Sequence, residues 1–327
     1  MRLLSHSVLF ATTLLAACGD DDGDPTPPVD DTSILAKAQA TPDLSTLVAA
    51  VQFASDNNDL VDLFAEPGTL TVFAPNNAAF DSLAVELTGD SGAQATDLLT
   101  AENKPLLRAV LQYHVLTDEV FAADIPVGLP ITSAEGSIFK IDSASPPEIN
   151  DGRNRISKIV ATDIEASNGV VHVIDKVILP ADKNIVQTAQ ALAAAPSPEF
   201  TILVEAVGAA GLVATLSGEG PFTVFAPTDA AFADLLAELD VTKAELLADT
   251  DLLTAVLTYH VVPSLVLEAQ VPIGAPITSV ETGTFTVDAS LDITDERSRK
   301  AGIVGTDVLT SNGVVHVIDK VILPAAP

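Results

Sequence analysis

Ser167-Asn-Gly-Val-Val-His-Val-Ile-Asp-Lys-Val-Ile-Leu-Pro180 recurs without a change as Ser311 to Pro324. An identity this long within one chain marks a duplicated unit, and the rest of the sequence is read outward from it. Upstream, Pro126-Val-Gly-Leu-Pro-Ile-Thr-Ser133 returns as Pro272-Ile-Gly-Ala-Pro-Ile-Thr-Ser279. Tyr113-His114-Val115 returns as Tyr259-His260-Val261, and Thr71-Val-Phe-Ala-Pro75 as Thr223 to Pro227. The order is kept and the spacing is about 145–152 residues, far longer than a solenoid repeat. The chain is therefore read as one domain written twice, at 33–181 and 182–325, with the boundary just after Pro180.

Each copy changes period along its length. Residues 44–54 and 200–210 have helical spacing, and Thr69–Phe73 and Phe222–Phe225 read as short strands that stop at proline. Asn76 and Thr228 then stand where a helix wants a capping side chain. The helices that follow carry one apolar stripe each, Phe80, Leu83, Leu87 and Phe232, Leu235, Leu236, Leu239. A further helix with Leu106, Leu107, Val110 and Leu111 runs into Tyr113-His114, and its counterpart into Tyr259-His260. Beyond it the pattern turns to strand at Ile138–Ile141, Ile156–Ala161, Val170–Ile174 and Val177–Leu179. Asn168-Gly169 and Asn312-Gly313 suit a tight hairpin. Helices before strands give an α+β fold with segregated layers.

Thr-Val-Phe-Ala-Pro-x-x-x-Ala-Phe, then Tyr-His-Val, then the Ser-Asn-Gly-Val-Val-His segment, in that order and twice, resemble the fasciclin domain family over roughly residues 33–325. The resemblance implies two tandem wedges of about seven strands packed with several helices. It also implies cell adhesion or extracellular protein contact. In animal members the Tyr-His segment is linked to integrin adhesion, which maps by position onto Tyr113, His114, Tyr259 and His260 as candidate interaction residues. Only the site is carried over, not the partner.

Residues 1–17 read as a secretory signal, with Arg2, a short apolar run from Val8 to Leu15, and small residues before the exit. Leu15-Ala16-Ala17-Cys18 resembles the lipobox of bacterial lipoproteins, so Cys18 is the expected lipidation site and the expected place is the bacterial envelope, periplasmic or at the cell surface. It is the one cysteine of the chain, which leaves no intrachain disulfide. Residues 18–32 form an acidic, Pro-rich tether, of which 19–32 could span about 45 Å if fully extended. Its Asp run fails as a calcium loop, because Pro25 stands where an EF-hand needs glycine.

Composition narrows the partners. There are 45 acidic and 15 basic residues, a formal charge of −30, which repels nucleic acid and anionic headgroups. The surplus of acid reads as solubility or adaptation to salt, with a cation-binding surface as the alternative. No tryptophan and two tyrosines argue against stacking platforms for bases or sugars. The membrane is expected to be touched only through the N-terminal anchor.

Candidate chemistry is sparse. His172 and His316 sit inside apolar strands and read as structural; an acid–base or metal role with Asp175 and Asp319 would need side chains that an extended strand points to opposite faces. Ser137-Ile-Phe-Lys140 matches Ser-x-x-Lys, but the second copy has Gly283-Thr-Phe-Thr286, and the match is read as coincidence. Arg153 and Arg155, with Arg297 and Arg299, lie in matching loops, either paired locally with Asp151 and Asp295 or open to an anionic glycan. No cofactor or metal is expected. The reading is a non-enzymatic adhesion or protein/glycan-binding lipoprotein; the alternatives are an enzyme using the His/Asp pairs and a small-ligand carrier.

Overall fold

A computed structural model describes residues 32–326. The signal at 1–17, the lipidation site Cys18 and all but the last residue of the tether at 18–32 lie outside the described residues. The described chain forms two tandem α+β domains, each built on one seven-stranded sheet.

In the first domain the strands are β1 (Leu70–Pro75), β2 (Val115–Leu116), β3 (Pro130–Thr132), β4 (Ile138–Ala144), β5 (Pro147–Asn150), β6 (Ile156–Ala166) and β7 (Gly169–Ile174), in the order β2-β1-β7-β6-β5-β4-β3. The second repeats this with β8 (Phe222–Pro227), β9 (Val261–Val262), β10 (Pro276–Thr278), β11 (Thr284–Val287), β12 (Asp292–Thr294), β13 (Lys300–Thr310) and β14 (Gly313–Ile318). Neighbours are antiparallel except for one pair per domain: β1 runs parallel to β7, and β8 to β14. The first and last strands of each domain therefore lie side by side. They are buried along almost their whole length, which is why the repeated Val-Val-His-Val-Ile shows no polar alternation.

Five α-helices, Ile34–Ala40, Ser45–Ala54, Asp59–Ala65, Asn77–Thr88 and Lys104–Tyr113, cover one side of the first sheet's buried strands. The expected caps form: Asn76 Oδ1 accepts the Ala79 N–H at 2.9 Å and Thr228 Oγ1 that of Ala231 at 3.1 Å. A second, aromatic core lies on the other side. There Phe73 meets Phe139 edge-on at 5.4 Å, and Tyr113 meets Phe139 at 5.7 Å. Phe225, Phe285 and Tyr259 repeat the cluster at 5.2 and 5.8 Å. Each such pair adds about 0.5–1.5 kcal/mol beyond burial.

The Asn-Gly pair does more than turn the chain. Asn168 Oδ1 accepts the Ile34 N–H at 2.8 Å, while its Nδ2 donates to Phe64 O and Glu66 O. Asn312 does the same for Ile185, Leu216 and Gly218. Gly169 follows at φ +144, so near β1 that a Cβ would stand 1.9 Å from Leu70 O; only glycine admits the parallel partner there.

Val177–Leu179 differs from expectation. It is fully buried yet is no strand, because its backbone bonds go to side chains. Ile178 N–H donates to His114 Nε2 at 3.0 Å, Leu179 N–H to Asp151 Oδ2 at 2.9 Å, and Val177 O accepts from Arg155 at 2.7 Å.

Candidate functional site

The helix Lys104–Tyr113 buries Leu107, Val110, Leu111 and Tyr113 and ends at His114. That geometry turns Tyr-His inward. Tyr113 is 0% exposed and His114 1%; Tyr259 is 0% and His260 2%. Tyr113 Oη donates to Ile138 O at 2.7 Å and accepts the Gly152 N–H at 2.9 Å. Tyr259 Oη donates to Thr284 O at 2.8 Å and accepts from Glu296 at 3.3 Å. His114 Nδ1 faces Val110 O at 2.6 Å and its Nε2 accepts the Ile178 N–H. A carbonyl on one side and an N–H on the other demand the neutral Nδ1–H tautomer. Burial lowers the His114 and His260 pKa values to about 4. All four side chains are thus turned into the core; His114 and His260 tie the helix ends to the Pro180 and Pro324 segments, and the tyrosines tie them to the β-strand loops.

His172 and His316 lie in the doubly covered strands. His172 Nε2 is 2.9 Å from Val120 O, its Nδ1 accepts the Asp163 N–H at 3.3 Å, and its ring lies 5.5 Å from Phe73. His316 repeats this with Val266 O, Asp307 N and Phe225, and burial lowers its pKa. Asp175 and Asp319 do not join them: each carboxylate accepts a backbone N–H of the neighbouring strand, Lys158 and Gly302, at 2.7 Å.

Arg155 is held by Asp151 at 2.8 Å, Glu86 at 2.7 Å and Val177 O. Asp151 also accepts the N–H groups of Arg153 and Arg155, closing the loop on itself. Arg299 bonds Glu238 at 2.7 Å and Val321 O at 2.9 Å, and Arg297 bonds Pro324 O. Arg153 approaches Asp182 at 3.4 Å. In both copies these guanidiniums thus tie the β5–β6 and β12–β13 loops to the following segment. The local pairing of Arg155 draws in part on a carboxylate, Glu86, that stands 69 residues away in sequence.

A broad cleft of about 500 Å³ opens between Gly136–Ile138, Ser217–Pro221 and Thr310–Gly313. Its walls mix polar and apolar groups without converging titratable side chains. Hollows inside the apolar layers, beneath Ile185–Ala193 for example, measure only about 20–50 Å³, against the several hundred that a small ligand fills. Among the described residues no three His, Cys, Asp or Glu side chains gather as a metal site, and no helix is long and apolar enough to cross a membrane.

The same framework thus occurs twice, with the same buried Tyr-His and the same buried strand histidine. The family model of the fasciclin domain matches residues 42–180 and 198–324. The chain belongs to the fasciclin family. Its fasciclin domains are 33% identical over 259 residues to transforming growth factor-beta-induced protein ig-h3 of Sus scrofa, covering 79% of this chain and 35% of that protein. The chain therefore spans about a third of that relative's length. Protein sll1483 of Synechocystis is 48% identical over 133 residues, 40% of this chain and 71% of its own. Among solved structures, a fasciclin domain pair from the insect cell adhesion molecule fasciclin I covers 90% of this chain and 98% of its own, at 16% identity and a TM-score of 0.41.

Proposed function

We propose that this tandem fasciclin protein is a non-enzymatic adhesion module of the bacterial envelope, held by a lipid on Cys18 and contacting protein or glycan through its outer surface. The boundaries 33–181 and 182–325 are the proposed limits of the two binding units. One observation carries the reading. The side chains best suited to chemistry, the paired histidines and tyrosines, are spent on backbone hydrogen bonds inside the fold. That leaves contact, not turnover, as what two stiff domains offer. A family of extracellular adhesion domains supports the same conclusion, as does a tether long enough to lift the pair off a membrane.

The test is direct adhesion. Beads coated with residues 32–326 are expected to attach to cells or matrix of the producing organism well above albumin-coated beads. Prior protease treatment of the target should abolish attachment to protein, and glycosidase treatment attachment to glycan. Attachment no better than albumin on every surface would overturn the reading.

A further inference from the structure

The two copies diverge where they meet. Lys140 on β4 reaches into the second domain, its Nζ 2.8 Å from Asp307 Oδ2 and 2.7 Å from Asp142 Oδ1. Both Lys140 and Asp307 are buried, at 7% and 3% exposure. Asn154 donates to Leu309 O at 3.1 Å and accepts the Leu309 N–H at 2.7 Å. One side-chain amide thus serves both backbone groups of a β13 residue, as a neighbouring strand would. Ile138 and Leu265 both pack against a buried cluster of Leu267, Leu309 and Val314. A Cβ on Gly128 would stand 3.1 Å from the Ala269 methyl.

Asp307 is presented by a bulge in β13. Its φ is +59, its Oδ1 accepts the Glu268 N–H at 2.8 Å, and its own N–H points at His316. Asp163 has the same arrangement in the first domain, with φ +57, the Ala122 N–H at 2.8 Å and His172. Each domain therefore owns the same socket, but that of the first is exposed. Around the open socket, Glu119 and Glu165 stand where the used one has Leu265 and Leu309. At the opposite end of the pair, Thr284, Thr286 and Ser298 stand where the first domain has Ile138, Lys140 and Asn154. Ser298 keeps the φ of +59 that Asn154 has, so the backbone is the same and only the contacting groups are gone.

We propose that β4 and the Asn154 loop form a specific docking surface whose partner is the second domain of the same chain, and that substitutions on both outer faces end the series at two. A head-to-tail contact between like domains is open-ended unless something blocks it. Here the block lies in composition. A second copy offers threonine where the socket needs lysine, and meets two glutamates where the contact needs leucines. Within the pair, removing Lys140 strands a buried carboxylate, so the contact tolerates no sliding. Within the Ser137-to-Lys140 stretch, Ile138 and Lys140 supply contacts to this interface.

The experiment uses the full chain with Cys18→Ser, labelled with spin probes at Ser82→Cys and Asp234→Cys, exposed positions of the two domains. The parent, and a control with Thr286→Ala and Ser298→Ala on the outer face, are expected to give one narrow interdomain distance. Lys140→Ala with Asn154→Ala is expected to broaden it at least twofold, with both domains still folded by circular dichroism. A broad distribution in the parent, or an unchanged one in the double variant, overturns the docked pair. In a second arm Glu119→Leu, Glu165→Leu, Thr284→Ile, Thr286→Lys and Ser298→Asn restore both outer faces. This variant is expected to sediment as concentration-dependent chains while the parent remains a single species. A variant that stays the size of the parent overturns the terminating role of those residues.

Discussion

His114 and His260 carry a cost that only acid reveals. Burial holds both imidazoles near a pKa of about 4, whereas in the unfolded chain they titrate near 6.5. Above pH 6.5 both states are neutral and the full stability is present. As the pH falls from 6.5 towards 4, the unfolded chain takes up protons that the folded one refuses, and stability declines; below 4 this loss is complete. Each histidine accounts for about 3 kcal/mol at the most. In urea unfolding at pH 7.5 and 4.5, the difference between the two pH values is expected to shrink by about 2.5 kcal/mol in His114→Gln, slightly less than the maximum because pH 4.5 lies above the folded pKa. An undiminished difference would mean that the pH response originates elsewhere. The sequence marked these histidines as paired but could not show which way they faced. The donor and acceptor of His114, Ile178 N–H and Val110 O, lie on either side of it at separations of 64 and 4 residues, and the long one decides the burial.

Among the elements, helices and strands with their own period or cap were legible before any coordinates. Asn76, Thr228 and the stripe Phe80, Leu83, Leu87 locate the helix Asn77–Thr88 and its twin. Val177–Leu179 was not legible, because an apolar run reads as strand whether its backbone is satisfied by a neighbouring strand or by Asp151, Arg155 and His114. Nor was the parallel pairing, which depends on Gly169 letting β7 approach β1. Gly169→Ala is expected to destabilise the first domain by more than about 3 kcal/mol, since φ +144 and a clash with Leu70 O act together. Gly208→Ala, on an exposed helical turn with open space around it, is expected to stabilise by up to about 1 kcal/mol. Thermal unfolding of the two single variants checks both signs. Equal shifts would show that backbone room at Gly169 is not limiting.

For the molecule as a whole, duplication was the strongest signal in the sequence, and it yielded the two domains and their order. What it hid was the contact between them, because repeats advertise what is shared, and the interface uses what differs: Lys140 against Thr286, Leu309 against Glu165. The proposed attachment of the pair to its cell is a separate matter that rests on Cys18 alone. Cys18→Ser is expected to move the protein from the membrane fraction to the soluble one on cell fractionation. Retention in the membrane would show that no lipid on Cys18 holds it.

Because β1 finds its parallel partner in β7, about a hundred residues downstream, a domain of this kind has high contact order and cannot shut until its last strand arrives. A ribosome or an export channel that delivers the chain from its N-terminus must release Ser167 to Pro180 before β1 gains its parallel partner. The first domain then completes while the second is still emerging. The segment written identically in both copies thus acts as a clasp, closing each domain at the end of its own translation.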